Sequence, residues 1–246
     1  MVGSTSSKLN SSSSSSEQQE IVWYMREHRA YLRGALKLLP LLEKLASGGG
    51  KRSLRLADCL RSVGAAYGWQ GDHARELDYK LRALRIYEKQ SREQDAVTRD
   101  LAFCLAQVGV AYGHAGDHVR QLEYLLRAAA AYQQLPDPAA NSKERAGCLE
   151  QVGVAYGQAG EHAKSLEYKL RALDMYGQQQ DHRDVAHCLE QVGVSYSKCG
   201  EAARGLEFAQ RALDMYDRLG VADRDVAGCL EQAGVACGRL GDHSGY

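Results

Sequence analysis

Seven cysteines and eight histidines are the residues of this 246-residue chain best suited to bind a metal ion or act as nucleophiles. Five of the cysteines, Cys59, Cys104, Cys148, Cys188 and Cys229, fall 45, 44, 40 and 41 residues apart, each inside a variant of one phrase running from LADCLRSVGAAYG to VAGCLEQAGVACG. A shared zinc site needs sulfurs about 2.3 Å from one ion, whereas equivalent positions on packed helices lie about 8 to 10 Å apart. That spacing suits small buried thiols better than ligands. His73, His118, His162 and His243 recur in the same way, each directly after a Gly-acid pair, so they read as parts of a repeated turn. The chain contains no His-Glu-x-x-His, P-loop or Gly-x-Ser-x-Gly motif and no convincing Cys-x-x-Cys pair. No catalytic residue, metal ligand or cofactor site is assigned, and the chain is expected not to be an enzyme.

The remaining composition narrows the class further. Lys plus Arg and Asp plus Glu balance at 31 each, which removes the broad positive field of non-specific nucleic-acid or anionic-membrane binding. No apolar run approaches the roughly 20 residues that span a bilayer. The opening MVGSTSSKLNSSSSSS lacks the apolar core of a secretory signal, and Val2 occupies the place where myristoylation needs glycine. A cytoplasmic protein with thiols in the reduced state is expected, with neither nucleic acid nor membrane as partner.

The recurring cysteines belong to helical units that must position everything else. Four copies of the cysteine phrase lead into a second shared segment, ELDYKLRALRIY, QLEYLLRAAAAY, SLEYKLRALDMY and GLEFAQRALDMY, whose apolar residues recur at helical intervals. Each unit is therefore a helical hairpin, with its turn at Gly-Asp or Gly-Glu. Gly64, Gly109, Gly153, Gly193 and Gly234 recur within the first helix, where glycine costs about 1 kcal/mol relative to alanine. Close helix contact is the expected compensation, with Tyr67, Tyr112, Tyr156 and Tyr196 on the same face and Ala83, Ala128, Ala172 and Ala212 opposite. Acid-before-base pairs such as Asp78 with Arg82 and Glu167 with Arg171 add about 0.2 to 0.5 kcal/mol each.

The L-x-x-V-G-x-x-Y phrase, the Gly-acid turn and the later R-A-L resemble the tetratricopeptide repeat, from about Leu56 onward. The long period and DHRDVAHCLEQVGVSY resemble the extended repeats of kinesin light chains and nephrocystin-like proteins more than the ordinary form of about 34 residues. The chain departs from the usual pattern where an alanine precedes L-x-Y: Glu76, Gln121, Ser165 and Gly205 stand there instead. The resemblance implies an all-α, right-handed superhelical solenoid of antiparallel helical hairpins whose first helices line a concave surface.

On that surface the expected peptide groove is a ladder of Gln107, Gln151, Gln191 and Gln232, whose amides can both donate and accept. Val110, Val154, Val194 and Val235 add apolar contacts, and His114, Gln158, Lys198 and Arg239, with Trp69, vary one further position. Glu150, Glu190 and Glu231 are expected to form an acidic rim that favours a ligand with basic residues. Solvation of exposed helices explains the same glutamines and glutamates equally well. The groove lacks the lysine and asparagine set of chaperone-tail carboxylate clamps and the basic lining associated with acidic kinesin cargo, so neither ligand class is carried over.

The organisation read from the sequence is a Ser-rich tail over 1–17, expected to be disordered, a helical segment over 18–47, a flexible joint over 48–55 and the repeat array over 56–246, its fifth repeat incomplete. In the 18–47 segment Ile21, Tyr24, Met25, Tyr31, Leu32, Ala35, Leu38, Leu39, Leu42 and Leu45 form a stripe that either caps the array or binds a partner, with Pro40 expected to kink or divide the helix. The leading functional expectation is a scaffold or adaptor that binds a partner protein or extended peptide. The alternatives are a sensor arm or fragment of a larger signalling protein, and a structural module that self-associates through its C-terminal end.

Overall fold

A computed structural model describes residues 30, 32–46, 50–137, 140–177, 183–220 and 223–242. The Ser-rich tail, Ile21, Tyr24, Met25, Tyr31, Gly48, Gly49 and His243 lie outside the described residues, as do the side chains of Gln232 and Arg239. The secondary structure of the described residues is entirely α-helical. The helices are α1 (32–46), α2 (Lys51–Trp69), α3 (His73–Gln94), α4 (Arg99–His114), α5 (His118–Gln133), α6 (Ser142–Gln158), α7 (His162–Gly177), α8 (Arg183–Lys198), α9 (Ala202–Leu219) and α10 (Asp223–Asp242). They fall into two compact units, Met1–Gln90 and Ser91–Tyr246. In the second unit α4 packs on α5, α6 on α7 and α8 on α9, with α10 following against α9, so the all-α hairpin array expected from the periodicity is present.

Each first helix ends in one motif. Gly71, Gly116, Gly160 and Gly200 have φ of 76°, 79°, 81° and 87°, the left-handed conformation that glycine adopts without a Cβ penalty. The next residue's N–H then reaches back to the tyrosine carbonyl of the last turn: Asp72 to Tyr67 at 3.0 Å, Asp117 to Tyr112 at 2.9 Å, Glu161 to Tyr156 at 2.9 Å and Glu201 to Tyr196 at 3.0 Å. These are Schellman closures, which satisfy carbonyls the helix leaves open. Asp72 and Asp117 then cap the following helix by accepting from the N–H groups of Arg75 and Arg120, both at 3.0 Å.

The mid-helix glycines are explained by close approach. A Cβ on Gly64, Gly109 or Gly153 would lie 2.9, 2.8 or 2.7 Å from a side-chain carbon of Lys80, Leu125 or Lys169, and one on Gly193 would lie 2.9 Å from the Gly205 carbonyl. A second contact one turn later shows compensation between helices. Glu76 sits over Gly68, Gln121 over Gly113 and Ser165 over Gly157, whereas in the fourth hairpin Ser197 takes the first-helix place and Gly205 the second. The missing alanine before L-x-Y is thus a position whose size is set by its partner across the hairpin.

Stacked rings join the two helices at their outer edge: Tyr67 with Tyr79, Tyr112 with Tyr124, Tyr156 with Tyr168 and Tyr196 with Phe208, at centroid separations of 5.5, 5.2, 5.4 and 5.2 Å. A cation covers each ring, with Arg75, Arg120, Lys164 and Arg204 over the first and Arg82, Arg127, Arg171 and Arg211 over the second. The arginines assigned from sequence to i,i+4 ion pairs have this further role, and the pairs are present as well, Arg82 with Asp78 at 4.0 Å and Arg171 with Glu167 at 2.7 Å.

In the first unit Leu32 and Ala35 of α1 share a buried cluster with Val63, Ala66 and Tyr67, and Arg82 of α3 donates to Glu43 of α1. Helix α1 runs unbroken through Pro40, so the expected division does not occur. Pro40 is exposed, where water can serve a carbonyl left without its helical donor.

Candidate functional site

The second unit holds a half-open cavity of about 150 Å³ between α6, α7 and α8. Its walls follow from the repeat. Val154 and Gln158 come from α6, and Gln191, Val194 and Lys198 come from the corresponding turns of α8, so five of the groove residues expected from sequence meet here. The floor is Gly157, Ser165, Lys169 and Ser195. The space exists because Ser165 is short: in the first hairpin the Glu76 carboxyl fills the corresponding place over Gly68, and in the second the Gln121 amide does so over Gly113.

Lys169 is the unusual member. It lies on the buried stripe of α7 with Ser165, Ala172 and Tyr176 and is 4% exposed. Its Nζ donates to the Gln191 carbonyl and Oε1, both at 3.3 Å, and to Ser195 Oγ at 3.1 Å. All three acceptors are neutral, and no carboxylate among the described residues lies within ion-pair distance. Burial pulls its pKa down to about 8, against the pull of Glu150 and with the repulsion of Lys198. Ser165 and Ser195 hydroxyls approach at 3.5 Å, and Lys198 stands exposed at the mouth.

The acidic rim needs correction. Glu150 is 6% exposed, with Oε1 at 2.7 Å from His187 Nδ1 of the next repeat and Oε2 accepting from the Tyr176 hydroxyl at 3.4 Å. The hydrogen bond to this carboxylate pushes the His187 pKa up. Glu190 is half-buried and turned toward α10, where a Cβ on Gly228 would lie 2.9 Å from its Oε1. Of the three, only Glu231 is exposed. The first helix of the following repeat covers this edge, α8 at Glu150 and α10 at Glu190, a contact between repeats that a one-repeat alignment does not reveal.

Gln107 and Gln151 are half-buried on α4 and α6, Val110 packs against the cluster of Leu125, Val152, Ala155 and Tyr156, and His114 is exposed at the end of α4. None of these four lines the cavity. Lys169, Ser165 and Ser195 were not singled out as site residues, although a lysine on a stripe of spacing 4, 3, 4 was visible. The recurrent cysteines are buried except Cys59, which is half-buried. Burial pushes Cys148 up to about 12 and raises Cys188 and Cys59 as well, opposite to the shift that activates a nucleophile. His73 and His118 lie at the second-helix start, with Nδ1 3.2 Å from Glu76 and 2.9 Å from Gln121.

No protein-family model matches the sequence, and no curated protein is found similar to it. Solved structures share the fold. A structure of BtubC (BKLC) from P. vanneervenii is 16% identical, with a TM-score of 0.69 over 87% of this chain and 85% of that one. Kinesin-light-chain-type, nearly identical TPR-like repeats from Podosopora anserina are 12% identical, with a TM-score of 0.66 over 79% and 91%. A Rap protein complexed with Competence and Sporulation Factor is 14% identical, with a TM-score of 0.61; the match spans 89% of this chain and 63% of that protein. The chain has the tetratricopeptide-like repeat fold. Among the described residues no helix is long and apolar enough to cross a membrane.

Proposed function

We propose that the chain is a non-catalytic adaptor that holds an extended segment of a partner protein along its first helices, anchored at the α6/α7/α8 cavity. The observation that supports this reading is the convergence of side chains from two successive first helices on one half-open cavity. Alternating amide and apolar groups in such a surface can bond a peptide backbone and hold its side chains. A Rap protein of similar fold was solved together with Competence and Sporulation Factor, which agrees with a binding role. The thiol pKa values raised by burial disfavour nucleophilic chemistry at Cys59, Cys148 and Cys188, and free cysteines suit a reducing cytoplasm.

The test is selection of random-sequence peptides on the full chain, followed by affinity measurement on variants. The double variant V154A/V194A is expected to weaken an enriched peptide by about tenfold, or 1.4 kcal/mol. Val119→Ala, at a position 81% exposed on the second helix α5, should leave affinity unchanged. Loss at Val119 with no loss at the valine pair would overturn the groove.

A second reading, self-association, draws on α10. Its Gly234 has nothing within 4 Å, although the equivalent glycines press on a second helix, and Leu230 and Val235 are 57% and 43% exposed. Sedimentation velocity should then show a concentration-dependent mass that Leu230→Glu abolishes; a constant monomeric mass sets this reading aside.

A further inference from the structure

The cavity's chemistry goes further than a place for a peptide. Lys169 is buried yet keeps only neutral acceptors at 3.1 to 3.3 Å, and its repeat-equivalent Lys80 shows what is missing. Lys80 is buried as well, at 2% exposed, but Glu76, four residues earlier, pairs with it at 2.6 Å. At the place of Glu76 the third hairpin has Ser165, and the volume given up by the shorter side chain is the cavity beside Lys169. A second cation, Lys198, lines the mouth, while Glu150, whose charge acts on Lys169 without forming an ion pair with it, lies 2.7 Å from His187 Nδ1 and accepts from the Tyr176 hydroxyl. The third hairpin therefore has the cation and the space of the first hairpin's ion pair without its anion.

We infer that this cavity is an oxyanion site in which Lys169 and Lys198, with the Ser165 and Ser195 hydroxyls, receive a carboxylate or phosphoryl group carried by the bound segment. The inference rests on the binding reading above and reverses the expectation of a basic ligand at this point of the groove. A ligand oxyanion replaces the missing acid, so its contacts with Lys169 form in a site partly withdrawn from water, where charge-assisted bonds are strong. Burial lowers the Lys169 pKa to about 8 despite the charge of Glu150, which agrees with a desolvated cation that has no ion-pair partner.

The experiment follows thermal unfolding of the full chain with rising inorganic phosphate or acetate, chloride making up constant ionic strength. The wild-type transition should rise with anion concentration as expected for a ligand of the folded state. Ser165→Glu supplies the internal acid and Lys169→Met removes the cation, so both should lose all of the rise except the small general effect of excluded salts. Lys198→Ala, at an exposed position that leaves the core intact, should weaken it. A rise with phosphate alone assigns a phosphoryl group, and a rise with acetate assigns a carboxylate. An equal rise in wild type and Ser165→Glu, or none in wild type with either anion, overturns the inference. This assay uses no peptide, so its failure leaves the V154A/V194A measurement standing, and failure of that measurement leaves the anion site standing.

Discussion

Lys80 and Lys169 occupy the same position in two hairpins of one chain, pack against the equivalent glycines Gly64 and Gly153 and are almost equally buried, yet their electrostatic settings differ. In the first hairpin the lysine is half of an internal ion pair with Glu76, itself 2% exposed, and His73 adds a contact at 3.2 Å. In the third, the lysine faces a cavity. A buried pair does little for net stability, but removing one partner strands the other charge and costs about 3–5 kcal/mol. The single difference between glutamate and serine, four residues before the lysine, thus separates a structural core from a candidate binding site.

The largest effect is expected where the pair is broken. Lys80→Met leaves the Glu76 carboxylate buried without the lysine and should lower stability by about 3–5 kcal/mol in urea denaturation. Lys169→Met breaks no ion pair and replaces a desolvated cation by an apolar chain of similar length, so it should raise stability at neutral pH by about 1–2 kcal/mol. If both substitutions destabilise equally, the contrast between the hairpins is wrong and Lys169 has an internal counter-charge.

Transplanting the acid sharpens the contrast. Ser165→Glu should be accommodated, because Gly157 matches Gly68, over which the Glu76 carboxyl already fits at 2.5 Å from the position of a Cβ. The new pair with Lys169 should stabilise the protein by about 1 kcal/mol at neutral pH, and a crystal structure should show the carboxylate filling the cavity.

A pH series gives a smaller, directional signature. Lys169 is lowered from 10.5 to about 8 in the folded protein, so between those values the unfolded chain binds more protons than the folded one at this site. Its contribution to stability therefore rises with pH across about 8 to 10.5 and is flat below 8. The titratable groups acting on it are Glu150 of α6 and Lys198 and the Cys188 thiol of α8. Subtracting the Lys169→Met curve from the wild-type curve should isolate a rise on the order of 3 kcal/mol; a flat difference curve would mean that Lys169 titrates normally.

How much of this could be read from the sequence depends on the range of the interaction. The hairpins, their Gly-acid turns and the close approach at Gly64, Gly109, Gly153 and Gly193 were legible, because each depends on residues within one unit at helical spacing. Val154, Gln158, Gln191, Val194 and Lys198 were legible as a surface for the same reason. Glu150 was not, since its burial arises from His187 in the next repeat, and stacking geometry is absent from a self-alignment. Lys169 was missed because a lysine within a charged phrase reads as solvated, although its position on the stripe with Ala172 and Tyr176 argues for burial. The departures at Glu76, Gln121, Ser165 and Gly205 were seen as irregularities; their meaning needed the facing residues Gly68, Gly113, Gly157 and Ser197.

The smallest expected effect tests whether the two hairpins are alike where they should be. Arg82 lies 5.2 Å from the Tyr79 centroid and Arg171 lies 5.4 Å from that of Tyr168, so truncating either to alanine removes one cation–π contact of about 0.5–1 kcal/mol. Arg171 also pairs with Glu167 on its own exposed face, a bond that adds only a few tenths. Arg82 likewise lies 4.0 Å from Asp78 on its own helix and in addition bonds Glu43 of α1, across a longer stretch of chain. Arg82→Ala should therefore cost slightly more than Arg171→Ala, and the excess should vanish in a Glu43→Ala background. Equal costs in both backgrounds would show that the ring contact is the main contribution of either arginine, and that the Glu43 bond adds nothing to the hold of α1 on the first hairpin.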